Sequence, residues 1–112
     1  MTVTAKCLIE SQMVPGSVFT PYTAPTGTRT IIDKFTAYNS DGSTHTLTVY
    51  LVPSGDAAGS DNVILNALSI TTLATVDSTV MQNQILNAGD TIQCFASTTN
   101  VVSIRCSGRE CQ

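Results

Sequence analysis

The chain has no tryptophan, and its aromatic residues are only 5% of the total. That scarcity argues against a sugar platform built from stacked rings. Charged residues are 12%, about half the usual share. The five cations, Lys6, Arg29, Lys34, Arg105 and Arg109, are scattered through a chain of net charge −3. No basic stripe exists to neutralise a row of phosphates, so no nucleic-acid partner is expected. Every long uncharged stretch is broken by Thr, Ser, Asn or Gly, which leaves no membrane-spanning segment. The first residues lack a basic region followed by an apolar run. No signal peptide is therefore expected, and synthesis in the cytosol follows.

Motifs that carry chemistry are also missing. There is no Walker or dinucleotide fingerprint and no nucleophile elbow. His45 is the only histidine. A hydrolytic triad would need an activated Ser or Cys beside it, and no motif places one there, so it reads as a half-exposed strand residue. The four cysteines, Cys7, Cys94, Cys106 and Cys111, lack paired CxxC spacing, and one histidine cannot complete a two-Cys two-His zinc site. Cys7, Cys94 and Cys106 fall on apolar faces and read as small core residues. Cys111, in Ser107-Gly108-Arg109-Glu110-Cys111, reads as a free thiol in a C-terminal tail over 107–112, with pairing to another subunit in an oxidising medium as the alternative. Asp41, Asp56 and Asp61 do not have calcium-loop spacing. The sequence nominates no catalytic, cofactor-binding or metal-binding residue, and the chain is expected not to be an enzyme.

What the chain has is β-structure. Serine and threonine are roughly a quarter of its 112 residues, and 42% of residues are apolar. This length fits one domain over 1–112. Short β-rich runs alternate with turn signals at intervals of about 8 to 12 residues. In Thr2–Glu10, Val3, Ala5, Cys7 and Ile9 alternate with polar residues. Pro15-Gly16 marks a turn. Pro21 confines Ser17–Thr23 to an edge or a bend. Ala24-Pro25-Thr26-Gly27 and Leu86-Asn87-Ala88-Gly89-Asp90 are further turns. Residues 53–62 form the longest loop, and Val63–Thr72 and Leu73–Met81 are two more β segments.

Two hairpins are expected. Thr28–Asn39 and Ser43–Val52 flank Ser40-Asp41-Gly42. A three-residue loop with Gly42 in the left-handed position would set Phe35 opposite Leu47 and Ile31 opposite Leu51, with Asp33 an awkward member of the apolar face. Thr91–Ser97 and Val101–Ser107 flank Thr98-Thr99-Asn100, which pairs Ala96 with Val102, Cys94 with Ile104 and Ile92 with Cys106. About eight strands result. The expected fold class is all-β, an antiparallel, jelly-roll-like β-sandwich.

Three segments resemble small bacteriophage virion β-sandwich proteins. They are Tyr22–Ile32, then Tyr38–Ser43 leading into Leu47–Gly55, and Leu86–Ile92. The chain is most similar to the capsid-stapling decoration, or cement, proteins of short-tailed phages. The resemblance implies a structural protein of the virion surface that binds the major capsid protein and bridges capsid subunits. It also implies a homo-oligomer, dimer or trimer, with the termini and loop 53–62 as contact candidates and unpaired sheet edges available across a dimer axis. A tail or fibre module that binds a host receptor or glycan is the alternative.

Overall fold

Among the described residues, nine antiparallel strands follow one another without a helix. In the computed structural model, which describes residues 2–112, they are β1 (Val3–Met13), β2 (Phe19–Thr23), β3 (Arg29–Asn39), β4 (His45–Val52), β5 (Val63–Ile70), β6 (Thr75–Asp77), β7 (Ile85–Leu86), β8 (Thr91–Ala96) and β9 (Val102–Cys111). One sheet runs β1-β9-β3-β6, with β7 also on β3, and the other runs β2-β8-β4-β5. β6 and β7 share one edge position, so the nine strands fill eight places. The chain passes back and forth between the sheets, and this order is that of a jelly roll. Inward-facing Ile9, Ile32, Phe35, Leu47, Val49, Ile92, Cys94, Ile104 and Cys106 are buried in one cluster between the sheets.

Neither expected hairpin forms. β3 lies in one sheet and β4 in the other, so Phe35 pairs with Cys106, while Leu47 pairs with Ala96 and Leu68. β8 and β9 are likewise split, with Cys94 opposite Phe19 and Val49. The two connections are arches that carry the chain across the core. Phe35, Leu47, Ile92, Cys94, Ala96, Val102, Ile104 and Cys106 do share the core between the sheets, but Ile31 does not, because its neighbour Ile32 is the one that turns inward. Asn100 takes the left-handed conformation at φ 62°, whereas Gly42 does not. Among the described residues, β4 and β5 are the one pair of consecutive strands that hydrogen-bond to each other, around loop 53–62.

The expected tail over 107–112 is also corrected. Residues 107–111 belong to β9, which lies between β1 and β3. Backbone pairing holds this segment and needs no apolar alternation. The two flanking strands bulge here. β1 skips register between Cys7 and Ile9, and β3 between Ile32 and Lys34. The second bulge resolves the awkward Asp33. As the extra residue it leaves the ladder and forms a two-pronged ion pair with Arg109, whose Nη2 lies 2.8 Å from Oδ1 and whose Nε lies 3.0 Å from Oδ2. The Arg109 guanidinium holds the Asp33 carboxyl below its ordinary range through that hydrogen-bonded contact.

Candidate interaction surfaces

The arches and the loops 14–18, 71–74 and 97–101 meet at one end of the sandwich, bound by polar contacts. Asn39 is fully buried there. Its Nδ2 donates to Ser43 O at 2.8 Å and Ile70 O at 3.0 Å, while its Oδ1 accepts from Asp41 N at 3.0 Å. His45, with a side chain 12% exposed, lies beside it. His45 Nε2 is 2.7 Å from Asp41 Oδ2, and Nδ1 is 3.1 Å from Ser97 Oγ. The fold thus brings a serine to the histidine from 52 residues away, a neighbour that local sequence spacing cannot reveal. The Ser97 hydroxyl is already engaged, because it accepts from Thr46 N at 3.0 Å. Ser97 N in turn donates to Thr46 O at 2.9 Å. The trio clips the 40–44 arch to the ends of β4 and β8. Asp41 is held below the ordinary carboxylate range, first by the His45 hydrogen bond and then by the Gly42 N–H.

The opposite end gathers the segments expected to make contacts. Thr2 and Gln112 exchange backbone hydrogen bonds of 3.0 and 2.8 Å. The 24–28 and 87–90 turns are joined by Gly89 N to Ala24 O at 2.9 Å. Loop 53–62 is tied to them by Ser54 N to Asp90 Oδ1 at 2.9 Å. Asn62 closes the loop on itself through Ala57 O at 2.9 Å and Gly59 N at 3.0 Å. An open cleft of about 400 Å³ between Arg29, Ala88, Cys111 and Gln112 marks this end. Sequence separation hides the convergence, which the antiparallel crossings impose.

All four cysteines are free, with Cys94 and Cys106 buried and Cys7 and Cys111 partly exposed. Burial pushes the Cys94 and Cys106 thiols up to about 12. Only the thiolate attacks a disulfide reagent. Titration with such a reagent at pH 8 is therefore expected to show no fast reaction at Cys94 or Cys106 in the folded protein. All four thiols should react in denaturant, and rapid labelling of Cys94 before unfolding would contradict the packing. Among the described residues, no cluster of three His, Cys, Asp or Glu side chains is placed to hold a metal ion.

The outer face of the β2-β8-β4-β5 sheet carries two of the few aromatic rings. Tyr50 and Phe95 are diagonal neighbours on β4 and β8, stacked at 6.3 Å with 26° between their planes. A shallow cleft beside Tyr50 is lined by Gly59, Ser60, Val63 and Asn66.

The sequence matches no protein-family model and no curated protein. In three dimensions the chain is similar to one in the crystal structure of the T13 particle of infectious bursal disease virus, with a TM-score of 0.53 and 12% identity over 97% of this chain. A chain of that virus's VP2 subviral particle aligns at a TM-score of 0.45 and 15% identity, also over 97% of this chain. This chain spans only 30% and 32% of those two chains. Identity this low shows a common β-sandwich fold and nothing finer.

Proposed function

We propose that this chain is a non-enzymatic structural protein of a virus particle, a phage decoration protein that bridges neighbouring capsid subunits on the shell exterior. The observation that carries the reading is the jelly-roll strand order, taken with the overall likeness of the fold to a chain from an icosahedral virus particle. The likeness of Tyr22–Ile32, Tyr38–Ser43 and Leu86–Ile92 to phage virion modules supports it. So does the end where loop 53–62, the 24–28 turn and residues 111–112 converge, which offers one contiguous surface to a capsid. A bridging subunit adds binding free energy that must be lost before two capsomers separate, and many copies make weak contacts effective together. Purified protein is expected to co-sediment with phage capsids that lack it and to raise their rupture temperature. Absence of binding to such shells would overturn the reading.

A second reading has its own observation. Tyr50, stacked against Phe95, borders a cleft that Ser60 and Asn66 also line, a mixture of ring and hydrogen-bonding residues that a sugar can use. A tail module built this way would bind host polysaccharide, and Tyr50→Ala would abolish that binding. The decoration role predicts no glycan binding in either protein.

A further inference from the structure

An open β-sandwich has four sheet edges, and exposed edges invite pairing unless they are blunted. Three are blunted here. β2 is five residues long, contains Pro21 and breaks register between Phe19 and Tyr22. β5 breaks register against β4 and holds Ala67 at φ 52°. β6 and β7 are three and two residues long. On the fourth edge, β1 beyond Cys7 is interrupted by two register shifts.

Val3–Cys7 differs. Its five residues pair with β9 from Cys111 to Ser107 without interruption. Thr2 to Lys6 are exposed on both faces of the sheet, and Val3 is 53% exposed. Because Thr2 and Gln112 exchange both of their backbone hydrogen bonds, Thr4 and Lys6 also turn theirs toward β9. The N–H and C=O groups of Val3, Ala5 and Cys7 therefore point outward.

We propose that this edge pairs antiparallel with the same segment of a second copy, about a twofold axis through Ala5. The register is self-complementary. Val3 faces Cys7 of the second copy, Ala5 faces Ala5, and Thr4 faces Lys6, so outward groups meet outward groups in both directions. No like charges stand opposite each other. Glu110 lies beside Thr4 on β9, and its carboxylate already reaches Lys6 of its own chain at 3.3 Å. Pairing brings Lys6 of the second copy to the far side of Thr4, which adds a cation next to that carboxylate. The side chains at the axis are small, so the backbones can approach to ladder distance. The two five-stranded sheets become one continuous sheet. This assembly does not depend on the proposed role in a virion.

Sedimentation of the full chain should give twice the monomer mass at micromolar concentration. Ala5→Pro removes an outward N–H and leaves the β9 ladder intact. It is expected to sediment as a monomer with an unchanged far-ultraviolet spectrum. Amide hydrogen exchange on the unaltered protein provides a second readout. The Val3, Ala5 and Cys7 amides should become protected as concentration rises, while that of Glu10 should not change. A monomer at high concentration, a dimer that survives Ala5→Pro, or exchange independent of concentration would each overturn the proposal.

Discussion

Gly108→Ala is expected to destabilise the fold by about 3 kcal/mol or more, near the top of the range for overpacking a filled site. Gly108 is buried in β9 between β1 and β3, opposite Lys6 on one side and Ile32 on the other. A β-carbon here would strike the Ile31 carbonyl oxygen and lie 2.7 Å from Leu8 Cδ1. Leu8 is itself buried, so it has no free space to enter, and a strand backbone cannot step aside without breaking its ladder. The cause is steric, because Gly108 does not have a left-handed φ. At roughly 4 °C per kcal/mol for a domain of this size, the melting midpoint should fall by about 12 °C. Gly42→Ala is the control. A β-carbon there meets nothing within 4 Å and the residue has no positive φ, so the midpoint should move by less than about 2 °C. Equal midpoints for the two variants, read by calorimetry, would mean that β1, β9 and β3 do not approach as described.

Asn39→Leu is expected to cost about 3–5 kcal/mol, although the two side chains are close in volume. Its Nδ2 serves Ser43 O and Ile70 O and approaches Thr71 O at 3.3 Å, and its Oδ1 receives Asp41 N. Leucine satisfies none of them. These groups belong to three different segments, β3 with its following arch, β5, and the turn into β6. The loss therefore separates the two sheets at that end rather than loosening one strand. A stability of roughly 5–15 kcal/mol is usual for a domain, so this change alone removes a large part of it. Urea denaturation should show a lowered midpoint with an unchanged slope. A variant as stable as the original protein would mean that Asn39 is not the buried link between the sheets.

Much of the local structure is legible in the residues. Gly27, Gly89 and Asn100 lie at expected turns and take positive φ of 72°, 86° and 62°. Pro21 does sit in an edge strand, because it has no N–H for an inner ladder. The bulge at Asp33 shows in the burial pattern of β3 and in the sequence only as an acidic residue on an otherwise apolar face. Buried positions in β3 are Thr30 and Ile32, then Phe35, Ala37 and Asn39, a change from even to odd that one inserted residue produces. The residues alone do not mark that shift, because Ile31 and Ile32 are both apolar and the buried Thr30 and Asn39 are polar.

The candidate surfaces were less accessible. Spacing along the chain does not bring Ser97 to His45 or Gln112 to Thr2. Tyr50 and Phe95 look like two isolated rings until β4 and β8 are set side by side.

What the sequence determined by itself is the all-β class, the turns and the inward faces of strands without a bulge, since each follows from a residue's own torsional preference or from the alternation of its neighbours. Where β1 and β3 bulge the alternation misleads, and Val3 and Ala5 are exposed while Ile32 rather than Ile31 turns inward. Only the tertiary structure decided which strands pair. Alternation marks a buried face equally for a partner in the same sheet and for one across the core, so β3–β4 and β8–β9 satisfy the same pattern as arches that they would as hairpins. Backbone hydrogen bonds carry almost no side-chain signature. For that reason residues 107–111, which have the composition of a tail, form part of an inner strand, and their partners on β1 and β3 come from the distant parts of the chain that the jelly roll folds against them.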